Sequence, residues 1–164
     1  MDIYEFLNLH AIPYTRYDHE PVYTCEEADR LDIPGGSAKT KNLFLRDRKG
    51  RRHILVTVGA GKAVDIRALE ETISAKSLSF ASAGRMEKYL GVSPGSVTLL
   101  GVVNDRECCV EVIVDRDLKD CSAMQCHPLV NTSTLVISMD DVMRFLELTG
   151  HHPLVIPVPG RDDS

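Results

Sequence analysis

Two pairs of short apolar runs, each pair joined by a few polar residues, constrain the fold more than any other sequence feature. The runs at 42–46 and 53–58 are rich in β-prone residues and flank a turn that contains Gly50. The runs at 96–103 and 108–115 are separated by Asn-Asp-Arg-Glu. Each pair predicts a β-hairpin.

Capping residues predict helices between these strands. Apolar spacing predicts a short amphipathic helix over 2–9, and Thr24 followed by Glu27 is a capping-box pattern. Further predicted helices follow the cap residues Asp65, Ser82 and Ser138, and two of them end at Gly91 and Gly150.

Residues 132–137 and 153–157 predict two more strands. Hairpins mixed with helices, rather than strict strand–helix alternation, predict an α/β fold of the α+β type. We expect a single compact domain over residues 1–160, with a mixed, largely antiparallel sheet surrounded by helices. Residues 161–164 are expected to form a disordered tail.

The composition is that of an ordinary globular protein, with 43% hydrophobic and 26% charged residues in 164. No apolar run is long enough to cross a membrane, and the first residues lack the pattern of a secretory signal. The five cysteines are odd in number and irregularly spaced, which favours a reduced, cytoplasmic setting over a disulfide framework.

Positive charge is concentrated in one segment of an acidic chain. Residues 39–52 carry seven Lys and Arg against a single acid, Asp47, whereas the whole chain has a net charge of −5. Such a segment is typical either of a solvated hairpin or of a local contact with a polyanion.

Three segments combine polar side chains with unusual backbone geometry. Residues 39–42 (Lys-Thr-Lys-Asn) place an amine and a carboxamide at a strand entrance, where they can bind a phosphate or a carbonyl. Residues 91–98 surround a proline with two glycines, so exposed N–H groups can face an oxyanion. Residues 126–132 contain His127, a candidate general base or hydrogen-bond donor. A plain strand start, a helix end and a core histidine remain the structural alternatives.

Other site chemistries find little support in the sequence. Cys121, Cys126 and His127 lack a second ligand pair, so we expect no metal. Neighbours on a strand point to opposite faces, which argues against Cys126 acting as a nucleophile with His127. The chain has no Gly-x-Ser-x-Gly motif.

Four motifs together resemble a known family. They are Lys-Asn-Leu-Phe-Leu-Arg-Asp (41–47), Gly-Val-Ser-Pro-Gly-Ser-Val-Thr (91–98), Gly-Val-Val-Asn-Asp (101–105) and His-Pro-Leu-Val-Asn-Thr (127–132). In this order they resemble the YbaK/prolyl-tRNA-synthetase-associated editing domains over essentially the whole chain. The segment 19–28 resembles the branch that removes alanine from proline tRNA (ProXp-ala, or PrdX).

The resemblance implies a metal-free deacylase that acts in trans, without a cofactor, on tRNA(Pro) carrying the wrong amino acid. It implies tRNA as partner, with transient association with prolyl-tRNA synthetase and no membrane. The implied catalytic residues are Lys41, Gly95 and His127. The implied substrate-binding residues are Asn42, Ser96, Val97, Thr98, Cys126 and Asn131. The basic segment supplies the candidate tRNA-binding residues Arg46, Arg48, Lys49, Arg51 and Arg52, in a hairpin that we expect beside the pocket, with Lys88 and Arg144 as rivals.

Two positions depart from the family pattern. Leu99 stands where the family loop usually closes with proline, and Cys126 stands where a larger apolar residue is common. The alternatives to an Ala-tRNA(Pro) deacylase are a Cys-tRNA(Pro) deacylase and a non-catalytic tRNA-binding or regulatory relative.

Overall fold

The computed structural model describes residues 2–23, 27, 31 and 33–161, which form two β-sheets. The larger sheet contains β2 (Thr40–Arg46), β3 (His53–Gly59), β4 (Ser79–Phe80), β5 (Val110–Asp115) and β8 (Leu154–Ile156), in the order β4-β2-β3-β5-β8. The smaller sheet contains β1 (Thr15–Asp18), β6 (Ala123–Cys126) and β7 (Ser133–Ser138), in the order β1-β7-β6. β3 pairs with β5, and β5 with β8, in parallel, while the other pairs of strands are antiparallel. The predicted α/β architecture with mixed sheets is confirmed.

Five α-helices accompany the sheets in the described part of the chain. They are α1 (Ile3–Leu9), α2 (Ile66–Thr72), α3 (Ala83–Leu90), α4 (Arg116–Lys119) and α5 (Met139–Thr149). The predicted caps are present, because the side chains of Asp65, Ser82 and Ser138 accept hydrogen bonds from backbone N–H groups of the first turns. Gly91 and Gly150 end α3 and α5 in the left-handed conformation.

The first predicted hairpin is confirmed. β2 and β3 pair from Thr40 opposite Gly59 to Arg46 opposite His53. Gly50 has φ +67° in the connecting turn, a conformation that glycine adopts at little cost.

The second predicted hairpin is wrong. Its first run forms two 3₁₀ helices, Pro94–Ser96 and Leu99–Asn104, and β5 pairs in parallel with β3 instead. Leu99, Leu100 and Val102 are buried, and an apolar run without alternation does not distinguish a buried strand from a buried helical segment.

Some short elements lie outside the predictions. β1 and β6 were not predicted, because β1 is polar and mostly exposed and β6 is only 4 residues long. The helix predicted from Thr24 and Glu27 falls largely outside the described residues. At the predicted tail, the Arg161 N–H donates to the Ala63 carbonyl, and residues 162–164 lie outside the described range.

The larger sheet separates two apolar clusters. Phe44, Leu55 and Val114 face one cluster together with β6, β7 and α5, and Leu45, Ile54 and Val58 face the other cluster together with α2. Among the described helices, none has the length and apolar character needed to cross a bilayer.

Candidate active site

The start of β2 lies beside β6. The Ala38 N–H donates to the Ala123 carbonyl at 2.9 Å, and the Gln125 N–H donates to the Ala38 carbonyl at 2.9 Å. The Thr40 hydroxyl donates to the Gln125 carbonyl at 2.7 Å. Because His127 follows Gln125 by two residues, these bonds bring the segment that begins at His127 close to the entrance of β2.

Asn42 is fixed by a buried neighbour on β3. Its Oδ1 accepts a hydrogen bond of 2.6 Å from the hydroxyl of Thr57, which lies opposite in the register and is fully buried. The Nδ2 group of Asn42 has no partner in the described part of the chain, so it can donate to a substrate oxygen.

Lys41 leaves β2 on the opposite face from Asn42. Side chains alternate along a strand, and Phe44, on the face of Asn42, packs in the cluster that includes Met124, whereas Leu45 packs in the other cluster. Lys41 is half-buried and has no ion pair among the described residues. Its side chain therefore starts from the face of the sheet opposite to that of Asn42.

His127 carries an unsatisfied buried atom. Its Nδ1 is buried and has no hydrogen-bond partner among the described residues. Burial lowers the pKa of His127, opposed by a hydrogen bond to the Ser133 backbone and reinforced by the nearby His19. The lowered pKa favours a neutral imidazole at physiological pH, with one ring nitrogen left for a ligand.

Gly95 lies against two loops. A Cβ built on Gly95 would lie 3.7 Å from Asn131 Nδ2 and 3.4 Å from Tyr23 Cδ1. Asn131 makes two hydrogen bonds of 3.1 Å to Val22. Its side-chain Nδ2 donates to the Val22 carbonyl, and its backbone carbonyl accepts from the Val22 N–H. The ring of Tyr23, 70% exposed, therefore borders the Gly95 turn, a contact that only the loop geometry reveals.

The residues after Gly95 are used by the fold itself. The Ser96 N–H donates to the Ser93 carbonyl at 2.9 Å, and the Thr98 hydroxyl accepts from the Leu100 N–H at 3.3 Å. Ser96 and Thr98 are buried, and Val97 packs against the core. These contacts fix the shape of the turn that presents Gly95.

Cys126 belongs to the core. Its side chain is buried beside the β6–β7 pairing, and burial raises the pKa of its thiol to about 12. A thiol with this pKa stays protonated at physiological pH and is a poor nucleophile. In the described ranges, His, Cys, Asp and Glu side chains form no group of three that could hold a metal ion.

The basic residues 46–52 lie at the other end of the hairpin. Arg46 lies five positions after Lys41 on β2, a distance of about 17 Å at the usual rise of a strand. The turn therefore lies at the far end of the hairpin from Lys41, and the placement of the hairpin beside the pocket stays a prediction.

The Arg52 side chain is occupied by contacts within the protein. Its Nε and Nη2 each donate to one carboxylate oxygen of Glu111 at 2.8 Å, and its Nη1 donates to the carbonyls of Ile73 and Ser74. Of the rival cations, Arg144 donates to the carbonyls of His10 and Ala11. Arg48, Lys49 and Arg51, by contrast, are exposed.

The chain is similar to several known proteins. The family described as the aminoacyl-tRNA editing domain matches residues 19–145. The chain is 41% identical over 140 residues to the prolyl-tRNA editing protein ProX of Acetoanaerobium sticklandii, covering 85% of each chain. It is 34% identical over 157 residues to prolyl-tRNA synthetase associated domain-containing protein 1 of Danio rerio, covering 94% of this chain and 85% of the relative.

The fold also matches a solved structure. The crystal structure of the hypothetical protein APE2540 superposes with a TM-score of 0.74 at 19% identity, covering 96% of this chain and 99% of the other. The editing family's match extends over most of the chain and includes Asn42, Gly95 and His127. Editing of an aminoacyl-tRNA is hydrolysis of the ester that joins the amino acid to the RNA. The chain belongs to the aminoacyl-tRNA editing domain family and is an aminoacyl-tRNA deacylase.

Proposed function

We propose that this deacylase removes alanine from mischarged tRNA(Pro), acting in trans and in transient association with prolyl-tRNA synthetase. The observation that carries the proposal is the approach of the β2 entrance, the His127 segment and the Gly95 turn, each of which offers polar groups without a built-in nucleophile. Two relatives named for prolyl-tRNA editing or for prolyl-tRNA synthetase support proline tRNA as the substrate.

The proposed chemistry is attack by water on an activated ester. An aminoacyl ester needs a positioned water and stabilisation of the oxyanion, but no covalent intermediate. Gly95 supplies the first N–H of its 3₁₀ helix, since Pro94 has none, and the absence of a side chain lets the ester carbonyl approach it. The 2′-hydroxyl of the terminal adenosine helps to activate the water.

Side chains around the turn orient the substrate. The unpartnered Nδ2 of Asn42 and the neutral ring of His127 hydrogen-bond to the aminoacyl group or the ribose. Lys41 anchors the terminal phosphate or ribose from the edge of the strand. Substrate selection is steric, because a pocket sized for alanine excludes the larger proline.

A deacylation panel tests this function. Purified protein is mixed with Ala-, Cys-, Ser- and Pro-tRNA(Pro), each with and without a chelator. We expect fast hydrolysis of Ala-tRNA(Pro), slow hydrolysis of Pro-tRNA(Pro), and no effect of the chelator. Preference for Cys-tRNA(Pro) would overturn the alanine assignment, and loss of activity with chelator that zinc restores would overturn the mechanism.

A further inference from the structure

Two guanidinium groups converge on the turn between β2 and β3. A Cβ built on Gly50 would lie 2.8 Å from Arg85 Nη2 and 3.2 Å from Arg46 Nη2, so these two nitrogens are at most about 6 Å apart. In the described ranges, neither arginine has a carboxylate within ion-pair distance. Two adjacent cations without an acid between them attract an anion.

Arg85 is oriented by a group that does not neutralise it. Its Nη1 lies 2.7 Å from Nε2 of His53, and arginine can only donate, so this ring nitrogen accepts. Burial of the ring and the charge of Arg85 both lower the pKa of His53. His53 is therefore a neutral hydrogen-bond partner that holds the Arg85 guanidinium at the turn. It does not neutralise the positive charge of Arg85.

More positive charge surrounds a neighbouring cavity. This cavity of about 350 Å³ is lined by Asp47, Arg48, Lys49, Arg52 and residues 74–76. The Arg48 N–H donates to the Lys76 carbonyl at 2.9 Å, which joins the two loops, and both side chains are exposed. The one acid, Asp47, accepts from the N–H groups of Arg51 and Arg52, which already compensate part of its charge.

We propose that these residues form a binding site for the phosphates of an RNA backbone. The members of this basic turn are Arg46, Arg48, Lys49, Arg51, Lys76 and Arg85. The exposed guanidinium groups of Arg48 and Arg51 match phosphate oxygens in a forked geometry, and the lysines add charge at the rim. Arg46 donates to the carbonyls of Asp47 and Arg48 and contributes its charge rather than a free fork. The inference rests on the proposed function, since it names where the tRNA outside the aminoacyl pocket is held.

The separation of the two sites fits one RNA. A stacked strand advances roughly 3.4 Å per nucleotide, so the distance of about 17 Å along β2 corresponds to about five nucleotides. With the 3′ end at the β2 entrance, the phosphates at the basic turn belong to the first base pairs of the acceptor stem. These contacts position the RNA and carry no sequence information.

The test measures binding of a deacylated tRNA(Pro) transcript at several salt concentrations. The variant R48S/K49S removes two exposed cations from the turn. The matched control R67S/K119S removes two exposed cations from α2 and α4. Circular dichroism confirms that each variant is folded.

We expect R48S/K49S to weaken binding roughly tenfold at low salt and to reduce the slope of log Kd against log salt by about 2. The control should keep the affinity and slope of the wild type. Equal losses in both pairs, or none in R48S/K49S, would overturn the site. If the wild type edits no aminoacyl-tRNA but R48S/K49S still loses tRNA affinity, the proposed function fails and the phosphate site stands.

Discussion

The side chains of the adjacent residues Lys41 and Asn42 lie on opposite faces of β2. The role of Lys41 can therefore be tested on its own. We expect Lys41→Ala to lower kcat/KM for Ala-tRNA(Pro) by at least about tenfold, which is about 1.4 kcal/mol of transition-state stabilisation. The ammonium has no ion pair among the described residues, so its loss should leave stability nearly unchanged. Steady-state kinetics and thermal unfolding measure the two effects, with Lys119→Ala as the control. A folded Lys41→Ala enzyme with wild-type kcat/KM would place Lys41 outside the site.

Substitutions at Gly95 test substrate approach separately from folding. Its added Cβ would meet the Tyr23 ring at 3.4 Å, an ordinary contact distance, so Gly95→Ala should fold normally. Gly95→Val adds two methyl groups beyond this Cβ, at the surface where we propose that the ester approaches the N–H. We expect Gly95→Val to abolish deacylation while the melting temperature falls by only a few degrees. A folded Gly95→Val protein that hydrolyses Ala-tRNA(Pro) at the wild-type rate would show that the turn is purely structural.

At the scale of elements, the neighbouring residues Arg51 and Arg52 differ in role. Arg52 joins elements of the fold, whereas Arg51 is exposed and is proposed to contact RNA. Arg52 joins the hairpin to Glu111 on β5 and to the end of α2. We expect Arg52→Met to lower the free energy of unfolding by about 1–2 kcal/mol, since Glu111 and two carbonyls lose their donor. Arg51→Met, at an exposed side chain, should keep stability and reduce the salt dependence of tRNA binding. Urea unfolding and tRNA titrations separate the two, and identical behaviour of both variants would contradict this division.

The elements that the sequence predicted correctly have local signals. Gly50 marks a turn, and Asp65, Ser82 and Ser138 cap helices through hydrogen bonds within three residues. The failed hairpin at 96–115 lacked such a signal. Whether Leu99 and Leu100 extend as a strand or coil as a 3₁₀ helix depends on the core that receives them, which is built from distant residues.

The sequence motifs select the residues of the candidate site, among them Asn42, Gly95 and His127, whose roles stay predictions. They do not show how these residues are arranged. The contact between Tyr23 and Gly95 and the approach of Arg85 to Gly50 depend on how separate loops meet. The ion pair between Arg52 and Glu111 also could not be predicted from the sequence, because the two residues are 59 positions apart.

At the scale of the whole molecule, His53 and His127 make stability depend on pH. Burial lowers the pKa of both His53 and His127 relative to the unfolded chain, whose histidines titrate near about 6.5. As the pH falls through the unfolded pKa toward the lower folded pKa, the unfolded state binds more protons than the folded state, so stability falls over this range. Each histidine contributes at most about 1.4 kcal/mol per pH unit.

We expect the free energy of unfolding to decrease between about pH 7 and pH 5.5, as measured by urea titration. His53→Gln, whose amide oxygen can still accept from Arg85, should flatten this dependence. A pH dependence that is unchanged in His53→Gln would show that His53 does not contribute.

The burial of Cys126 has a consequence for cells under oxidative stress. Peroxides react with thiolates, and a thiol with a pKa of about 12 in the apolar core offers almost none. The proposed hydrolysis uses water rather than sulfur, so its catalytic groups include nothing that hydrogen peroxide inactivates. We therefore expect deacylation to survive peroxide treatment that disables enzymes with a catalytic cysteine.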